Sequence, residues 1–339
     1  MSDFKVEVVE VASVEPHPNA DRLDIARIFD FPVIVKRGEY KTGDHAVYVP
    51  VDAVVPDTEE WRWLNNGLPL GKHARIKAKK LRGVFSMGLL VQTAQAGPDV
   101  AISEDVAERM GITKYEPPEP GTYGVKGPSA EAEPDPGFIP KYTNIDSLRR
   151  YRRLLTDGEE VVITEKIHGA NARYCFHEGR FWAGSHREIK KNDPASIWWR
   201  AAEAAGLPAR LSERPGVVLY GEVYGQVQDL RYGSKPGEVR FRAFDAFDIA
   251  AGRYMDLVDF DALVKSLDIP TAPELYRGPW SADLFSLAAG KTLTDGADHF
   301  REGFVVRPVR ERWDDHTGRV ILKLVGEEYL LRKGGSEGK

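Results

Sequence analysis

Val161-Val162-Ile163-Thr164-Glu165-Lys166-Ile167-His168-Gly169-Ala170-Asn171-Ala172-Arg173 is the stretch that decides how this chain is read. The β-branched residues Val161 to Thr164 favour a strand. Lys166 follows at its end, and Gly169 allows close backbone approach three residues later. A lysine at a strand end is ordinarily a surface residue. Here it is followed by Tyr220-Gly221-Glu222-Val223-Tyr224-Gly225 and by Phe241-Arg242-Ala243-Phe244-Asp245. Glu302-Gly303-Phe304-Val305-Val306-Arg307-Pro308 and Ile321-Leu322-Lys323-Leu324 complete the series. Glu222 and Glu302 each sit in or beside an apolar strand run. One such glutamate reads as a structural ion pair.

Around this series the chain mixes strands and helices. Tyr174 to Ala183 predicts a hairpin turning at Glu178-Gly179, and Val217-Tyr220, Val239-Phe247, Phe304-Val306 and Val320-Val325 predict strands. Apolar spacing predicts helices over Ala195-Ala205 and Met255-Leu267. Residues 4 to 92 instead carry short apolar runs broken by Gly, Pro and Asp, as in a small β-barrel. Between them, residues 96–138 are rich in Pro, Gly and acid and read as a linker. A short helix over Ser103-Met110, capped by Ser103, interrupts it. The expected organisation is a barrel over 1–95, a linker over 96–138 and a second domain over 139–339, an α+β chain overall.

The 339 residues are 42% hydrophobic, enough to bury two cores, and no apolar run reaches the length of a membrane helix. No apolar leader follows Met1, so a cytoplasmic protein with no membrane partner is expected. The single cysteine, Cys175, excludes an internal disulfide and reads as a small core residue rather than a catalytic thiol. A net charge of −5 does not mark a nucleic-acid binder, but two local basic runs do stand out, Lys72–Arg82 and Arg149–Arg153. Each alone reads equally as a solvated face.

Taken in order, the five motifs between residues 160 and 326 resemble the covalent nucleotidyltransferase superfamily of polynucleotide ligases and RNA capping enzymes. His168 stands where DNA ligases and capping enzymes usually carry Asp, and Asn171 where they usually carry Arg. Both features resemble the nick-sealing RNA ligases of the phage ligase 2 type. Only 339 − 323 = 16 residues follow Lys323, too few for the barrel that follows the last motif in DNA ligases. The N-terminal position of the barrel resembles a bacterial RNA ligase group with an OB-like domain. That barrel, through His17-Pro18-Asn19-Ala20-Asp21-Arg22-Leu23 and Leu81-Arg82-Gly83-Val84-Phe85-Ser86-Met87-Gly88, also resembles the tRNA-binding OB fold of some aminoacyl-tRNA synthetases.

The resemblance implies an OB-like, nucleic-acid-binding barrel followed by an ATP-grasp-like ligase domain of antiparallel sheets with flanking helices. It implies an ATP-dependent RNA ligase joining 3′-OH and 5′-phosphate ends, at nicks in duplexes, as in RNA repair. Lys166 would be the nucleophile that carries AMP, with Glu302 and Lys323 as catalytic partners. Free lysine titrates near pH ~10.4, so attack needs its charged form disfavoured. ATP and AMP would be held by Glu165, His168, Gly169, Asn171, Arg187, Glu222, Phe241 and Lys323. Phe241 would stack on adenine while Phe244, three residues along the strand and so on the opposite face, packs in the core. Glu302, through water, and secondarily Glu222 would serve a Mg²⁺ or Mn²⁺ ion, since hard cations prefer oxygen and keep several waters. Many relatives have Lys-x-Lys in the last motif; here Ile321 replaces the first lysine, and Arg319 lies far up the same face.

Two other readings stay open on sequence. One is a nick-sealing ligase for DNA or RNA–DNA hybrids. The other, of a different class, is a non-catalytic RNA-binding protein with a decayed transferase domain, although decay would strike Lys166 and its carboxylates first. Oligomeric state and the natural RNA leave no sequence signal.

Overall fold

A computed structural model describes residues 4–66, 68, 73–116, 132–315, 317–332 and 334–337. The chain forms two compact units. The first is Met1–Pro117 with Asp146–Arg152 and Glu327–Lys339, and the second is Pro118–Ile145 with Arg153–Gly326.

In the first unit, strands Glu7–Glu10, His45–Val49 and Leu89–Gln92 form one antiparallel sheet with His45–Val49 central. Ser13–Pro16, Leu23–Ile28 and Phe31–Lys36 form a second, antiparallel meander. Val6, Val8, Val47, Val49 and Val91 alternate inward and meet Trp61 in the core. Residues beyond 95 join that core through Ala96, Val106 and Ile112. The Ser103–Met110 helix is absent. This stretch is a run of turns, because its backbone bonds the edge of the first strand: Ser103 N–H to Val8 O at 2.8 Å, Val8 N–H to Glu104 O at 3.0 Å and Val106 N–H to Val6 O at 2.7 Å. Completing a sheet edge outweighs about two marginal helical turns. The remaining linker motifs, over residues 117–131, lie outside the described residues.

Of the basic run, Arg149 and Arg150 are folded into this unit, whereas Arg152 and Arg153 are exposed. Arg150 pairs with buried Glu7 and lies over the Phe29 ring, and Arg149 donates to Asp30 O at 3.2 Å. Ser336 and Glu337 are pinned here too. Buried Asp52 accepts Ser336 Oγ at 2.6 Å and the Glu337 amide at 2.9 Å, and pairs with Arg75.

The second unit holds a seven-stranded antiparallel sheet in the order Ala132–Glu133, Ile189–Lys190, Arg180–Ser185, Ala170–His177, Val217–Gly225, Val239–Asp248, Arg253–Tyr254. The expected hairpin is there, turning at Glu178 and Gly179, both at positive φ as a tight two-residue turn requires. A second sheet runs in the order Leu322–Val325, Gly303–Pro308, Glu160–Glu165, Glu274–Pro279.

Helices Ile197–Ala204, Leu207–Ser212 and Leu257–Ser266 cover one face of the large sheet. Leu219, Val223 and Phe241 pack there against Trp198, Leu211 and Phe260. The other face meets the second sheet, where Val218 and Tyr220 pack with Val305 and Ile321. Along Val217–Gly225 the odd residues therefore face the helices and the even ones the second sheet. Cys175 lies fully buried between the sheets, its thiol pushed up to about 12 by burial, and serves as packing. Among the described residues no helix is long and apolar enough to cross a membrane.

Candidate active site

The site forms in the second unit where strand Glu160–Glu165 runs out. Sheet bonding continues for one residue, with the Lys166 N–H on Gly303 O at 3.0 Å, and then the chain turns away. Lys166 Nζ lies 2.8 Å from Glu302 Oε1, the ammonium slightly open and the carboxylate buried. Burial alone would raise the Glu302 carboxyl. The Lys166 ammonium and the His168 ring overcome it and hold the group down to about 2, so it stays ionised. Its second oxygen, Oε2, is buried without a hydrogen bond among the described residues and faces His168 Nδ1 at 3.5 Å. His168 is itself buried, and its Nε2 lies 2.8 Å from Asp229 Oδ1.

Glu222 approaches from the large sheet. It pairs in register with Asn171 on one side, and even numbering turns it toward the second sheet. Burial pushes its carboxyl up to about 8, and nearby Glu302 adds to the rise against the pull of Lys166 and the Gly169 amide. Asn171 Oδ1 is a further buried acceptor with no partner among the described residues. Gly169 is required by space. A Cβ there would lie 2.1 Å from Val223 O and 3.0 Å from Glu222 Cγ.

Lys323 is buried and joins this face. Thr164 pairs with Val305 and Val305 with Lys323, so the three form one row across the second sheet, two residues short of Lys166. Lys166, His168, Gly169, Asn171, Glu222, Glu302 and Lys323 are thus gathered around one end of the two sheets.

Three expected residues sit differently. Glu165 is buried, and its carboxylate accepts the Leu293 amide at 2.7 Å and the Thr292 hydroxyl, so it holds the 292–294 loop. Arg187 lies exposed on the turn after Arg180–Ser185, its amide on Ser185 Oγ at 3.2 Å. Its neighbour His186 is pushed down to about 4, chiefly by burial. Phe241, expected to stack on adenine, pairs with Val223 and so points to the helices, edge-on to Tyr174 at 5.1 Å. It is on the far side of the sheet from Glu222.

Phe244 is the aromatic on the near side. The register between Val217–Gly225 and Val239–Asp248 shifts between Tyr220 and Gly221, leaving Phe244 as the extra residue of a bulge. It packs 5.0 Å from Tyr142 and borders the cluster containing Ile167 and Tyr224. Beyond it, Asp245 is fully buried and paired with Arg307 at 2.9 Å and with Arg319. Arg319 therefore serves this network and does not replace the lysine missing at Ile321.

Residues 159–325 match the family model described as RNA ligase. Residues 159–325 thus form a domain of the RNA ligase family. Residues 5–93 match an OB-fold domain model, which agrees with the barrel. The fold is also that of solved RNA ligase structures. The Naegleria gruberi RNA ligase with PPi superposes with a TM-score of 0.81 at 22% identity, over 97% of this chain and 98% of that one. A mutant of that ligase with ATP and Mn gives 0.80 at 21% identity, over 96% and 97%. Another with AMP and Mn gives 0.81 at 21%, over the same shares. No curated protein sequence matches this chain.

Within the ligase domain, sequence reading missed the segment that follows Glu222. Asp229 reaches His168, the Tyr232 hydroxyl accepts the His168 amide at 2.7 Å, and Gln228 reaches the Gly169 carbonyl. These are loop residues without periodicity, so nothing local marked them.

Proposed function

We propose that this RNA ligase is ATP-dependent and joins 3′-OH and 5′-phosphate ends through AMP bound covalently to Lys166. The observation that carries this reading is the convergence of Lys166, Glu302 and Glu222 on one end of the sheets, with Lys166 Nζ 2.8 Å from Glu302. A lysine that must attack phosphorus needs an ordered position, negative partners that let go as phosphate arrives, and cations to balance charge. The cluster offers all three.

In the first step Lys166, its ammonium having given one proton to water, attacks the α-phosphorus of ATP and loses a second proton as the phosphoramidate forms. A P–N bond forms, the P–O bond to the β-phosphate breaks, and pyrophosphate carries away the electron pair. Lys323 and Arg187 are the protein cations assigned to the phosphates. Glu222, protonated below about 8, is suited to hydrogen-bond ribose hydroxyls. Phe244 rather than Phe241 is assigned to adenine, because it shares the face of Glu222. AMP then passes to the 5′-phosphate of RNA, and attack by a 3′-hydroxyl releases AMP and seals the strand.

Glu302 Oε2, buried without a hydrogen bond, and His168 Nδ1 beside it fit a divalent cation that keeps most of its waters. Mg²⁺ or Mn²⁺, shared with phosphate, is the ion proposed, since such hard cations prefer oxygen and keep several waters. When bound, such an ion neutralises phosphate charge.

RNA is the proposed partner, at nicks in a duplex and in the cytoplasm. In the barrel unit the hairpin Lys79–Leu81 and Val84–Ser86 exposes Lys79, Lys80 and Arg82, a basic edge for a phosphate backbone. Lys72 of that run lies outside the described residues. His17 Nε2 on Leu81 O at 3.1 Å and Asn19 Nδ2 on Arg82 O at 3.0 Å hold the hairpin tip in place.

The test is incubation of purified protein with α-labelled ATP and Mg²⁺ or Mn²⁺, followed by a denaturing gel. Label on the wild type and none on Lys166→Ala supports the reading. No label on folded, AMP-free protein overturns it. Nicked duplexes with RNA or DNA acceptor strands then decide which ends are sealed.

A further inference from the structure

The loop that carries the nucleophile has lost its sheet partners and has found others. Past Lys166 the main chain must still satisfy its buried amides and carbonyls. The His168 N–H donates to Tyr232 OH at 2.7 Å, and Gln228 Nε2 donates to the Gly169 carbonyl. The His168 ring contacts Asp229 Oδ1 at 2.8 Å through Nε2. All three partners come from five consecutive residues, Gln228 to Tyr232.

That segment is itself fixed. It leaves the large sheet at Gly225, whose φ of 99° few other residues adopt and whose Cβ would press Glu238 O at 2.8 Å. The loop is closed at its base by Gln226 N–H on Glu238 O at 2.9 Å and by Gln226 Nε2 on Ser234 O at 3.0 Å. Tyr232 is fully buried, edge-on to Tyr224 at 5.3 Å and to His299 at 4.6 Å, in the cluster that also holds Ile167. Burial keeps its phenol protonated. Asp229, in contrast, has a side chain 54% exposed, yet it faces a fully buried imidazole.

We propose that Gln228–Tyr232 is a strap that sets the position of the Lys166–Gly169 loop, with Tyr232 and Asp229 as positioning residues for attack by Lys166. The strap begins six residues after Glu222, so one stretch of chain carries the ribose-facing carboxylate and then fixes the nucleophile loop. Displacement of a reacting group by about 1 Å can cost about 100-fold in rate. This inference rests on Lys166 being the nucleophile.

Single-turnover transfer of labelled AMP to the full chain, ATP affinity and thermal stability would be measured for wild type, Tyr232→Phe, Asp229→Ala and Asp229→Asn. Tyr232→Phe and Asp229→Ala should slow transfer about 10- to 100-fold, with ATP affinity changed less than about threefold. Asp229→Asn should recover most of the rate, because its amide oxygen still accepts from Nε2–H. The Asp229 variants change a half-exposed side chain and keep the test open if Tyr232→Phe folds poorly. Wild-type rates in all variants would overturn the strap, as would slowing that merely tracks lost ATP affinity, or Asn no better than Ala. Amide exchange over residues 166–169 should quicken in Tyr232→Phe and Asp229→Ala. Unchanged exchange would overturn the strap even if no variant, wild type included, took up label, whereas absent label alone would count against Lys166 as nucleophile.

Discussion

Lys166 Nζ and Glu302 Oε1, 136 residues apart in sequence, form a 2.8 Å ion pair at the ends of adjacent antiparallel strands. The pair fixes the Lys166 ammonium, the proposed nucleophile, against a buried carboxylate where the two strands end.

Breaking this pair from one side leaves a buried charge alone. Lys166→Met should destabilise the ligase domain by roughly 2–4 kcal/mol in denaturant unfolding. Lys166→Met with Glu302→Gln should recover most of that loss. Additive losses in the double variant would show that the two groups are not coupled.

Glu222 gives the site a pH dependence with a definite sign. Its folded carboxyl titrates at about 8, above the ordinary value of 4.5. Its contribution to stability is therefore full below 4.5 and is lost as pH rises through about 8. Between those limits, wild-type melting temperature should fall relative to Glu222→Gln. Parallel melting curves across that window would refute a protonated Glu222.

The two phenylalanines of the 241–245 motif should separate binding from folding. Phe241→Ala opens the helix-side core and should cost about 3–5 kcal/mol of stability. Phe244→Leu should weaken ATP binding by about 1–3 kcal/mol, the worth of one stacked base, which is roughly 5- to 150-fold. Titration of each variant with ATP checks the assignment, and the reverse pattern would return the stacking role to Phe241.

The barrel hairpin should contribute to RNA affinity through charge. Replacing Lys79, Lys80 and Arg82 by Ala should reduce the slope of log K against log salt by about 2.7, at about 0.9 for each duplex phosphate no longer neutralised. AMP transfer to Lys166 should stay at the wild-type rate. An unchanged slope would leave the hairpin outside the RNA path.

Much of this was written locally. Val161–Thr164 is a strand because β-branched side chains suit an extended backbone, and the Glu178-Gly179 turn follows from its two positive-φ positions. Lys166, Glu222, Glu302 and Lys323 were singled out by the resemblance of the five ordered motifs, since a lone charge beside an apolar strand reads as surface or ion pair, and all four lie around one end of the sheets. Where local patterns compete with long-range bonds they lose. Ser103–Met110 has a helical sequence but completes a strand edge, and Arg149 and Arg150 form a basic run but are consumed by Asp30 and Glu7.

The sequence by itself determined which residue types stand at the strand ends and that Phe241 and Phe244 lie on opposite faces, since side-chain alternation is a property of the strand alone. Only the tertiary structure decided which face looks toward Lys166, that the Glu165 carboxylate holds a loop, and that Asp229 and Tyr232 reach His168 in the Lys166–Gly169 loop. Those outcomes depend on what packs against each face, and that partner comes from tens of residues away.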